Sequence, residues 1–311
     1  MRARVYKSTG SWYLVRSEDH RLWKCRIRGK LKIDKSITST NPIAVGDWVH
    51  LEPESESASE AQAMITLVED RQNYLVRQSP HGRHQKHIVA SNLDQSVVIA
   101  TLREPRTSTG FLDRFLVTCE AYHIPAILVF NKADILDEED RHYFDFLRNL
   151  YAEIGYPVLL ISAETQQGLA EFRNLLQDKV TLLTGHSGVG KSTLINRLLP
   201  GHELATQEVS DWSGKGMHTT TFAEMYDLPE GGHLIDTPGI RELGVIDILH
   251  EELSGYFPEM KKFLTACKYN NCLHLNEPGC RVKLAVEEGL VSEMRYENYL
   301  RIMETIEERK Y

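Results

Sequence analysis

The sequence predicts a chain of three parts: an N-terminal β-barrel, a central α/β domain on a parallel sheet, and a mainly helical C-terminal module that binds zinc. Three observations predict this division. Short alternating strands fill the first quarter, apolar strands then alternate with amphipathic helices, and three of the five cysteines crowd between positions 267 and 280. The predicted domains span 1–77, 78–242 and 243–311.

Composition places the 311-residue chain among soluble globular proteins, since 41% of its residues are hydrophobic and 26% are charged. This excludes collagen-like, disulfide-scaffold and wholly disordered proteins. The sequence has no long apolar run, and its first residues lack the apolar core of a secretory signal, so we expect a cytoplasmic protein without a membrane partner. The net charge of -8 is uneven. Residues 1–50 carry 11 Lys and Arg against 4 Asp and Glu, so nucleic-acid contact is expected to begin there.

The N-terminal part shows strand patterns at 12–15, 22–29, 48–51 and 64–69, with a turn at Gly46-Asp47. Their number and spacing suit a small closed barrel of the OB-fold type, whose open face commonly binds oligonucleotides. The acidic stretch 53–61 has the composition of an exposed, mobile hairpin tip.

Basic and aromatic residues of this part form a candidate surface for RNA phosphates and stacked bases. They are Arg2, Arg4, Lys7, Lys24, Arg26, Arg28, Lys30 and Lys32, with Trp12 and Trp23. Alternating charges on strands also often just face water, so these residues by themselves leave both interpretations open.

The central part alternates strands with helices, which predicts a parallel sheet covered on both faces. The predicted strands lie at 96–101, 126–130, 158–162, 180–184 and 233–236, and the helices at about 111–122, 138–154, 167–178 and 191–199. The stretch 201–222 has no pattern, and a loop of that length in a compact domain is usually functional. The chain after Gly239 is predicted to be helical and to end in a charged helix over 285–309.

Residues 185–192, GHSGVGKS, match the P-loop pattern GxxxxGK(S/T) between a buried strand and an amphipathic helix. Backbone N–H groups of such a loop and the positive helix end face a β-phosphate, while Lys191 bridges the β- and γ-phosphates and Ser192 ligates Mg²⁺. The predicted phosphate-binding residues are Gly185, His186, Ser187, Gly188, Val189, Gly190, Lys191, Ser192 and Thr193.

Base selection is assigned to Asn131-Lys132-Ala133-Asp134, which follows a strand and resembles the NKxD element of GTPases. There the Asp134 carboxylate would accept hydrogen bonds from guanine N1–H and the exocyclic amine. Adenine offers no such donor pair and would leave a buried carboxylate unpaired, which argues against the alternative of a P-loop ATPase or kinase. Ser162-Ala163-Glu164 resembles the companion loop, with the Ala163 N–H facing guanine O6.

Asp236-Thr237-Pro238-Gly239 resembles the DxxG switch II element, in which Asp236 would hold the Mg²⁺ shell and the Gly239 N–H would contact the γ-phosphate. Thr220, in the loop ahead of that strand, is the predicted third magnesium ligand. The predicted catalytic residues are Lys191, His218, Thr220, Asp236 and Gly239. Ile240 stands where Ras-type proteins place a water-orienting Gln, so intrinsic turnover should be slow, with either His218 or a group from rRNA positioning the water.

The order of these elements is circularly permuted, because the base-reading loops precede the P-loop instead of following it. The same pocket can form because a sheet needs its strands in place and not one particular pair of termini. Switch II now runs directly into the C-terminal module, so we expect loss of the γ-phosphate to reposition residues beyond 243.

Cys267, Cys272, His274 and Cys280 have the spacing C-x4-C-x-H-x5-C. Three thiolates and one imidazole suit a tetrahedral structural Zn²⁺ with no open position. Cys25 and Cys119 stand alone and are predicted to be core residues.

A basic barrel, permuted NKAD, SAE, GHSGVGKST and DTPG elements and the cysteine pattern together resemble, over nearly the whole chain, the bacterial family of ribosome small-subunit-dependent GTPase A. The resemblance implies GTP and GDP binding with Mg²⁺, contact with 16S rRNA in late small-subunit precursors, hydrolysis stimulated by that particle, and release afterwards. A cytoplasmic monomer without a DNA partner is expected. The alternative is a non-hydrolysing module that uses GTP only to gate RNA binding.

Overall fold

The computed structural model describes residues 1–29, 41–56, 61–78, 86–201, 223–237 and 248–306. Its strands are β1 (Arg2–Ser8), β2 (Tyr13–Ser17), β3 (Leu22–Ile27), β4 (Trp48–Glu56), β5 (Ala61–Val68), β6 (Tyr74–Gln78), β7 (Lys86–Ser91), β8 (Gln95–Ala100), β9 (Ala126–Phe130), β10 (Val158–Leu160), β11 (Val180–Thr184), β12 (Glu224–Asp227) and β13 (His233–Asp236). Its α-helices are α1 (Thr109–Ala121), α2 (Glu138–Ile154), α3 (Leu169–Leu176), α4 (Lys191–Leu198), α5 (His250–Leu253), α6 (Pro258–Lys261), α7 (Arg281–Glu287) and α8 (Glu293–Met303). Single 3-10 turns occupy Ala133–Ile135, Ser254–Tyr256 and Leu264–Ala266.

The first five strands close into a barrel. They pair in the order β1-β2-β3-β5-β4, and β1 also pairs with β4, which completes the circle. Alternate side chains of β2 and β3 point inward, so that Tyr13, Val15, Trp23 and Cys25 fill an apolar interior. The predicted N-terminal barrel is confirmed.

Two expectations about the barrel are wrong. The acidic hairpin tip is shorter than 53–61, because β4 and β5 continue to pair as far as Glu56 and Ala61; exposed acidic side chains do not prevent backbone pairing, and residues 57–60 lie outside the described part. Trp23 is not a stacking residue. It is 2% exposed, and its indole N–H donates to Ser17 Oγ at 3.0 Å inside the barrel.

The central sheet has the order β10-β9-β8-β11-β13-β12, with every strand parallel except β12. One apolar core packs α1 and α2 on one face, and a second packs α3 and α4 on the other. The predicted α/β architecture is confirmed. Four strands were not predicted: the short antiparallel β12, and β1, β6 and β7. Strand β1 shows no alternation of apolar and polar residues, because β12 and the hairpin β6-β7 lie nearby and it is buried on both sides.

The C-terminal module packs on α1 through an apolar core that includes Val117 of α1 and Phe257 and Tyr299 of the module. The single helix predicted over 285–309 is wrong. Helix α7 ends before Gly289, which has φ +73°, and α8 starts after an extended Ser292. Glycine adopts that left-handed conformation without steric cost, so the chain turns there. Among the described residues, every helix is too short or too polar to cross a bilayer.

Candidate nucleotide site and metal cluster

The predicted nucleotide-binding loops meet at one edge of the central sheet. Strands β9, β10, β11 and β13 are parallel, and their carboxyl ends lead into the NKAD, SAE, P-loop and DTPG segments, with Asp236 of DTPG as the last residue of β13. In open α/β sheets the carboxyl ends of parallel strands form the usual ligand crevice. Sheet order, and not chain order, therefore brings these segments together.

Asn131 joins the base-reading loops to the P-loop. Its side chain is 2% exposed, its amide nitrogen donates to the Val189 carbonyl at 2.8 Å, and its amide oxygen accepts from the Ala163 N–H at 2.9 Å. The Ala163 N–H, expected to face guanine O6, is thus directed at Asn131, as a buried N–H requires an acceptor. One side chain fixes the relative positions of three loops.

Asp134 lies in the 3-10 turn that follows Lys132, whose φ of +66° is left-handed. Its carboxylate accepts from Ser162 Oγ at 2.5 Å, and the same Ser162 oxygen accepts from the Thr165 N–H at 3.0 Å. The two segments predicted to read guanine are therefore in direct contact. This orients the Asp134 carboxylate before any base arrives.

Gly190 makes the turn from the P-loop into α4 possible. It has φ +85°, and a Cβ there would collide with the Asn131 amide. Helix α4 then begins at Lys191, which puts Lys191, Ser192 and Thr193 in its first turn. The first backbone N–H groups of a helix have no intrahelical acceptor, so this end is suited to anions.

Lys191 contacts the start of the predicted switch II. Its ammonium donates to the Asp236 carboxylate and to the Thr237 carbonyl, and the side chains of Lys191 and Asp236 are 13% and 3% exposed. Two of the predicted catalytic residues are thus paired. His218, Thr220 and Gly239 lie outside the described residues, so their predicted roles stay predictions.

The loop between β8 and α1, which the sequence analysis did not single out, also contacts the P-loop. Thr107 Oγ1 lies 2.7 Å from His186 Nε2, the Lys132 ammonium donates to the Glu104 carbonyl, and Pro105 lies against Gly188. This loop leads into α1, where Phe111 meets the His186 ring edge-on at 5.6 Å. No spacing pattern marks these residues, because their partners lie far away in the chain.

The predicted zinc ligands converge in the C-terminal module. The ligand atoms of Cys267, Cys272, His274 and Cys280 all lie within 4.8 Å of one another, and His274 Nδ1 is 3.7 and 3.4 Å from the sulfurs of Cys267 and Cys280. Burial raises the pKa of the Cys272 thiol to about 12, so a bound cation is needed to hold it as a thiolate. A Cys3His set of this kind can hold one zinc ion.

Backbone and side-chain groups hold the cluster in place. The N–H groups of Arg281 and Lys283 point at the sulfurs of Cys267 and Cys280, both at 3.4 Å. Glu277 accepts from two backbone N–H groups, and the hydroxyls of Tyr296 and Tyr299 donate to carbonyls of the same loop. Hydrogen bonds from N–H groups to sulfur favour thiolates, which supports metal binding. Cys25 and Cys119 are buried in other cores, as predicted.

Basic side chains remain on the outside of the barrel beside the half-buried indole of Trp12. The Arg26 guanidinium lies 3.8 Å and the Lys24 ammonium 4.9 Å from the Trp12 ring centroid. Arg4 is buried and donates to the Asn92 carbonyl, so it does not belong to this surface. Lys30 and Lys32 lie outside the described part of the chain.

Comparison with known proteins gives one consistent family. Residues 68–246 match the family described as RsgA GTPase, and residues 3–60 match the RsgA N-terminal domain. Proteins named small ribosomal subunit biogenesis GTPase RsgA from Bacteroides fragilis and Phocaeicola vulgatus are each 50% identical over 311 residues, covering 100% of this chain and 99% of the relative.

Solved structures agree along the full length. The crystal structure of YjeQ from Thermotoga maritima is 32% identical with a TM-score of 0.76 and covers 97% of each chain. That of YloQ, described as a circularly permuted GTPase, is 33% identical with a TM-score of 0.72 and covers 100% of this chain and 96% of its own. The permuted order inferred from the motifs is therefore shared with a solved relative.

Proposed function

The chain belongs to the RsgA GTPase family, and from that premise we propose that it hydrolyses GTP in the biogenesis of the small ribosomal subunit. It binds 16S rRNA in a late precursor, hydrolyses GTP when that particle stimulates it, and then dissociates. The names of its relatives, small ribosomal subunit biogenesis GTPases, support the ribosomal role. An activity on ribosomal subunits implies a cytoplasmic location.

One structural observation carries the GTPase assignment: the Asn131 side chain bonds to both Val189 and Ala163. The guanine-reading loops and the phosphate-binding loop therefore border one cleft despite their permuted order. In that cleft, Asp134 receives the guanine N–H groups, and Lys191 and the N-terminus of α4 receive the phosphates.

Two metal ions complete the proposal. Ser192, Asp236 and Thr220 would hold Mg²⁺, which neutralises charge between the β- and γ-phosphates. Cys267, Cys272, His274 and Cys280 would hold one structural zinc ion that fixes the C-terminal loop. The buried Asp236 carboxylate pairs with the Lys191 ammonium, so the bound Mg²⁺ and Lys191 would share this carboxylate.

The barrel is the proposed RNA-binding domain, and the boundaries at 77 and 242 are the proposed domain limits. The protein acts as a monomer. His218, or a group supplied by rRNA, orients the attacking water, because Ile240 cannot do so.

The decisive experiment measures phosphate release from GTP by the full chain alone, with purified small subunits, and with large subunits. We expect small subunits to raise turnover by about tenfold or more, because supplied groups accelerate phosphoryl transfer strongly in related enzymes. Lys191→Ala should abolish the stimulated rate, and Lys179→Ala serves as the matched lysine control. Release at background under saturating small subunits would favour the non-hydrolysing gate instead.

The base preference and His218 are tested separately. A guanine nucleotide at about 100 times its Kd should stabilise the fold by about 2.7 kcal/mol, whereas adenine nucleotides should not. Equal protection by ATP would revive the ATPase alternative. Stimulation that is unchanged in His218→Ala would remove this histidine from the mechanism and leave the rRNA group.

A further inference from the structure

An open groove of about 390 Å³ lies on the outer face of the barrel next to the GTPase domain. Lys7, Leu14 and Lys24 occupy neighbouring positions on β1, β2 and β3, since Lys7 pairs with Leu14 and Leu14 with Lys24. Trp12 and Leu22 complete the apolar part of the lining. The groove therefore combines an indole and aliphatic surface with two ammonium groups.

Charge complementarity selects the occupant of this groove. The Lys24 and Arg26 cations lie within 4.9 and 3.8 Å of the Trp12 ring centroid, and Lys7 borders the same space. Single-stranded nucleic acid offers the matching groups, with phosphates for the cations and unstacked bases for the indole. A lipid headgroup lacks the flat rings, and a peptide has no regular repeat of one anion per ring, whereas each nucleotide carries one phosphate and one base.

Lys7 also reaches the GTPase domain. Its ammonium donates to Glu224 Oε2 at 2.6 Å, and Lys7 and Glu224 are the register pair that joins β1 to β12. Glu224 is in turn the cross-strand partner of Asp236, which accepts from Lys191. The Lys7 side chain is thus shared between the barrel groove and the strand beside the nucleotide site.

The Lys7–Glu224 pair is weak enough to exchange. Its side chains are 35% and 25% exposed, and ion pairs that water reaches contribute little net stability because solvent screens them. A phosphate in the groove presents the same charge to Lys7 as the Glu224 carboxylate. Two further contacts between the barrel and β12, from Arg16 and Tyr6 to the Asp227 carboxylate, do not involve groove residues.

We propose that this groove binds single-stranded RNA, and that an RNA phosphate takes Lys7 from Glu224, so that RNA docking on the barrel loosens β12 beside the nucleotide site. This inference rests on the proposed function and names the part of its RNA surface that communicates with the GTPase domain. In the complex Glu224 loses its cation, and the single register pair between β1 and β12 loses its side-chain support.

The test measures binding of a labelled uridine oligonucleotide to the full chain over a range of salt concentrations. Lys7→Met should weaken binding several-fold and reduce the slope of log K against log salt by about 0.7, the loss of one single-strand phosphate contact. Glu224→Gln should tighten binding by about two- to fivefold, because the competing carboxylate is gone.

Glu297→Gln is the matched control for Glu224, because it removes one acid from an exposed ion pair with Arg301 on α8. Equal oligonucleotide affinities of Glu224→Gln and Glu297→Gln would contradict the transfer of Lys7 from Glu224 to a phosphate. Unchanged binding by Lys7→Met would contradict the assignment of this groove as the RNA site. In the double variant of Lys7 and Glu224, the gain from Glu224→Gln should vanish.

A matching deoxythymidine oligonucleotide tests whether the groove prefers RNA, and tighter binding of DNA would overturn the assignment of RNA.

Hydrolysis stimulated by small subunits is the second readout. Lys7→Met should lower the stimulation several-fold, whereas Arg301→Gln, which removes an exposed cation elsewhere, should keep it. Full stimulation of Lys7→Met would overturn the link to the nucleotide site. If the unmodified protein shows no stimulation at all, the proposed function fails, while the oligonucleotide affinities still decide the groove.

Discussion

Asn131 shows how a single side chain can fix a binding site. It is buried, and it bonds to a residue 58 positions and another 32 positions away. A short amide supplies a donor and an acceptor at once, so it satisfies the Val189 carbonyl and the Ala163 N–H together. Neither a carboxylate nor an aliphatic residue could replace it in both roles.

Asp134 is the residue on which nucleotide choice depends. Asp134→Asn should weaken guanine nucleotide binding by about 100-fold or more, because the amide NH2 faces the guanine amine without an acceptor and the remaining acceptor for N1–H is uncharged. The amide should instead favour xanthine nucleotides, since xanthine replaces the exocyclic amine with a carbonyl that the amide can face. Isothermal titration with GDP and XDP measures both effects.

Asp145→Asn is the control for this change, as Asp145 is exposed on α2 and pairs with Arg148 on the same helix. It should leave both affinities unaltered. Undiminished GDP binding by Asp134→Asn would show that another group reads the base.

Among the elements, the hairpin β6-β7 carries a histidine that resists protonation. Burial first, and then the charge of Arg77 opposite it, lower the pKa of His87 from its ordinary value of 6.5 to about 4. Between these values the unfolded chain binds a proton that the folded chain does not. Stability due to His87 is therefore present above about pH 6.5 and is progressively lost toward pH 4.

We expect His87→Gln to lose less stability than the unmodified protein between pH 7 and pH 4.5, as followed by urea unfolding at each pH. His142→Gln is the control, because His142 is exposed on α2. A parallel pH dependence in all three proteins would contradict a protonation penalty at His87. Burial, and then the charges of Arg4 and Arg16, also lower the pKa of His233 to about 4. His233 is present in all three proteins, so its contribution to the pH dependence is the same in each.

The loop 267–280 is the element that depends on a metal. Cys272→Ser should reduce the zinc content of the purified chain from about one ion per chain to near zero and lower the melting temperature, because metal binding energy contributes directly to folding. Elemental analysis and thermal denaturation measure the two effects. Cys119→Ser, which changes a buried cysteine outside the cluster, should keep the zinc. A full zinc content in Cys272→Ser would exclude this ligand set.

At the scale of the whole molecule, a buried charge network attaches the C-terminal module to the GTPase domain. Arg295 of α8 is fully buried and donates to Asp113 of α1 at 2.5 Å and to Glu259 of α6 at 2.7 Å. Tyr151 and Asn298 also donate to the Asp113 carboxylate, both at 2.7 Å. Movement of the module relative to α1 would break this network.

This attachment constrains how loss of the γ-phosphate could reposition the module through switch II. Helix α1 also follows the loop whose Thr107 contacts His186 of the P-loop. A change at the nucleotide that reaches the module must therefore carry α1 with it or break the Arg295 contacts. The connection through residues 238–247 lies outside the described part of the chain.

Arg295→Met should destabilise the protein by about 3–5 kcal/mol, because it leaves two buried carboxylates without their cation. Asp113→Asn should cost less, since an amide of the same shape keeps an acceptor for Tyr151. The double variant should be more stable than Arg295→Met alone, as one unpaired charge has gone. Denaturant unfolding measures all three, and strictly additive losses would contradict a coupled network.

Short sequence motifs were enough to predict most residues of the candidate site. NKAD, SAE, GHSGVGKS and the cysteine pattern were identified because each function needs particular residue types at fixed short spacings next to a strand or helix end. The barrel and the α/β sheet followed from hydrophobic periodicity. Strand β1 was not predicted, because burial on both sides removes the alternation of apolar and polar residues on which strand prediction depends.

Only the tertiary structure decided which distant residues meet. Asp113 and Arg295 are 182 positions apart, Lys7 and Glu224 are 217 apart, and Thr107 and His186 are 79 apart. Such pairs leave no periodic trace, because their geometry depends on how whole elements pack and not on the neighbours of either residue. The sequence by itself determined what the loops can bind, and three-dimensional packing determined how the barrel, the nucleotide site and the metal module are joined.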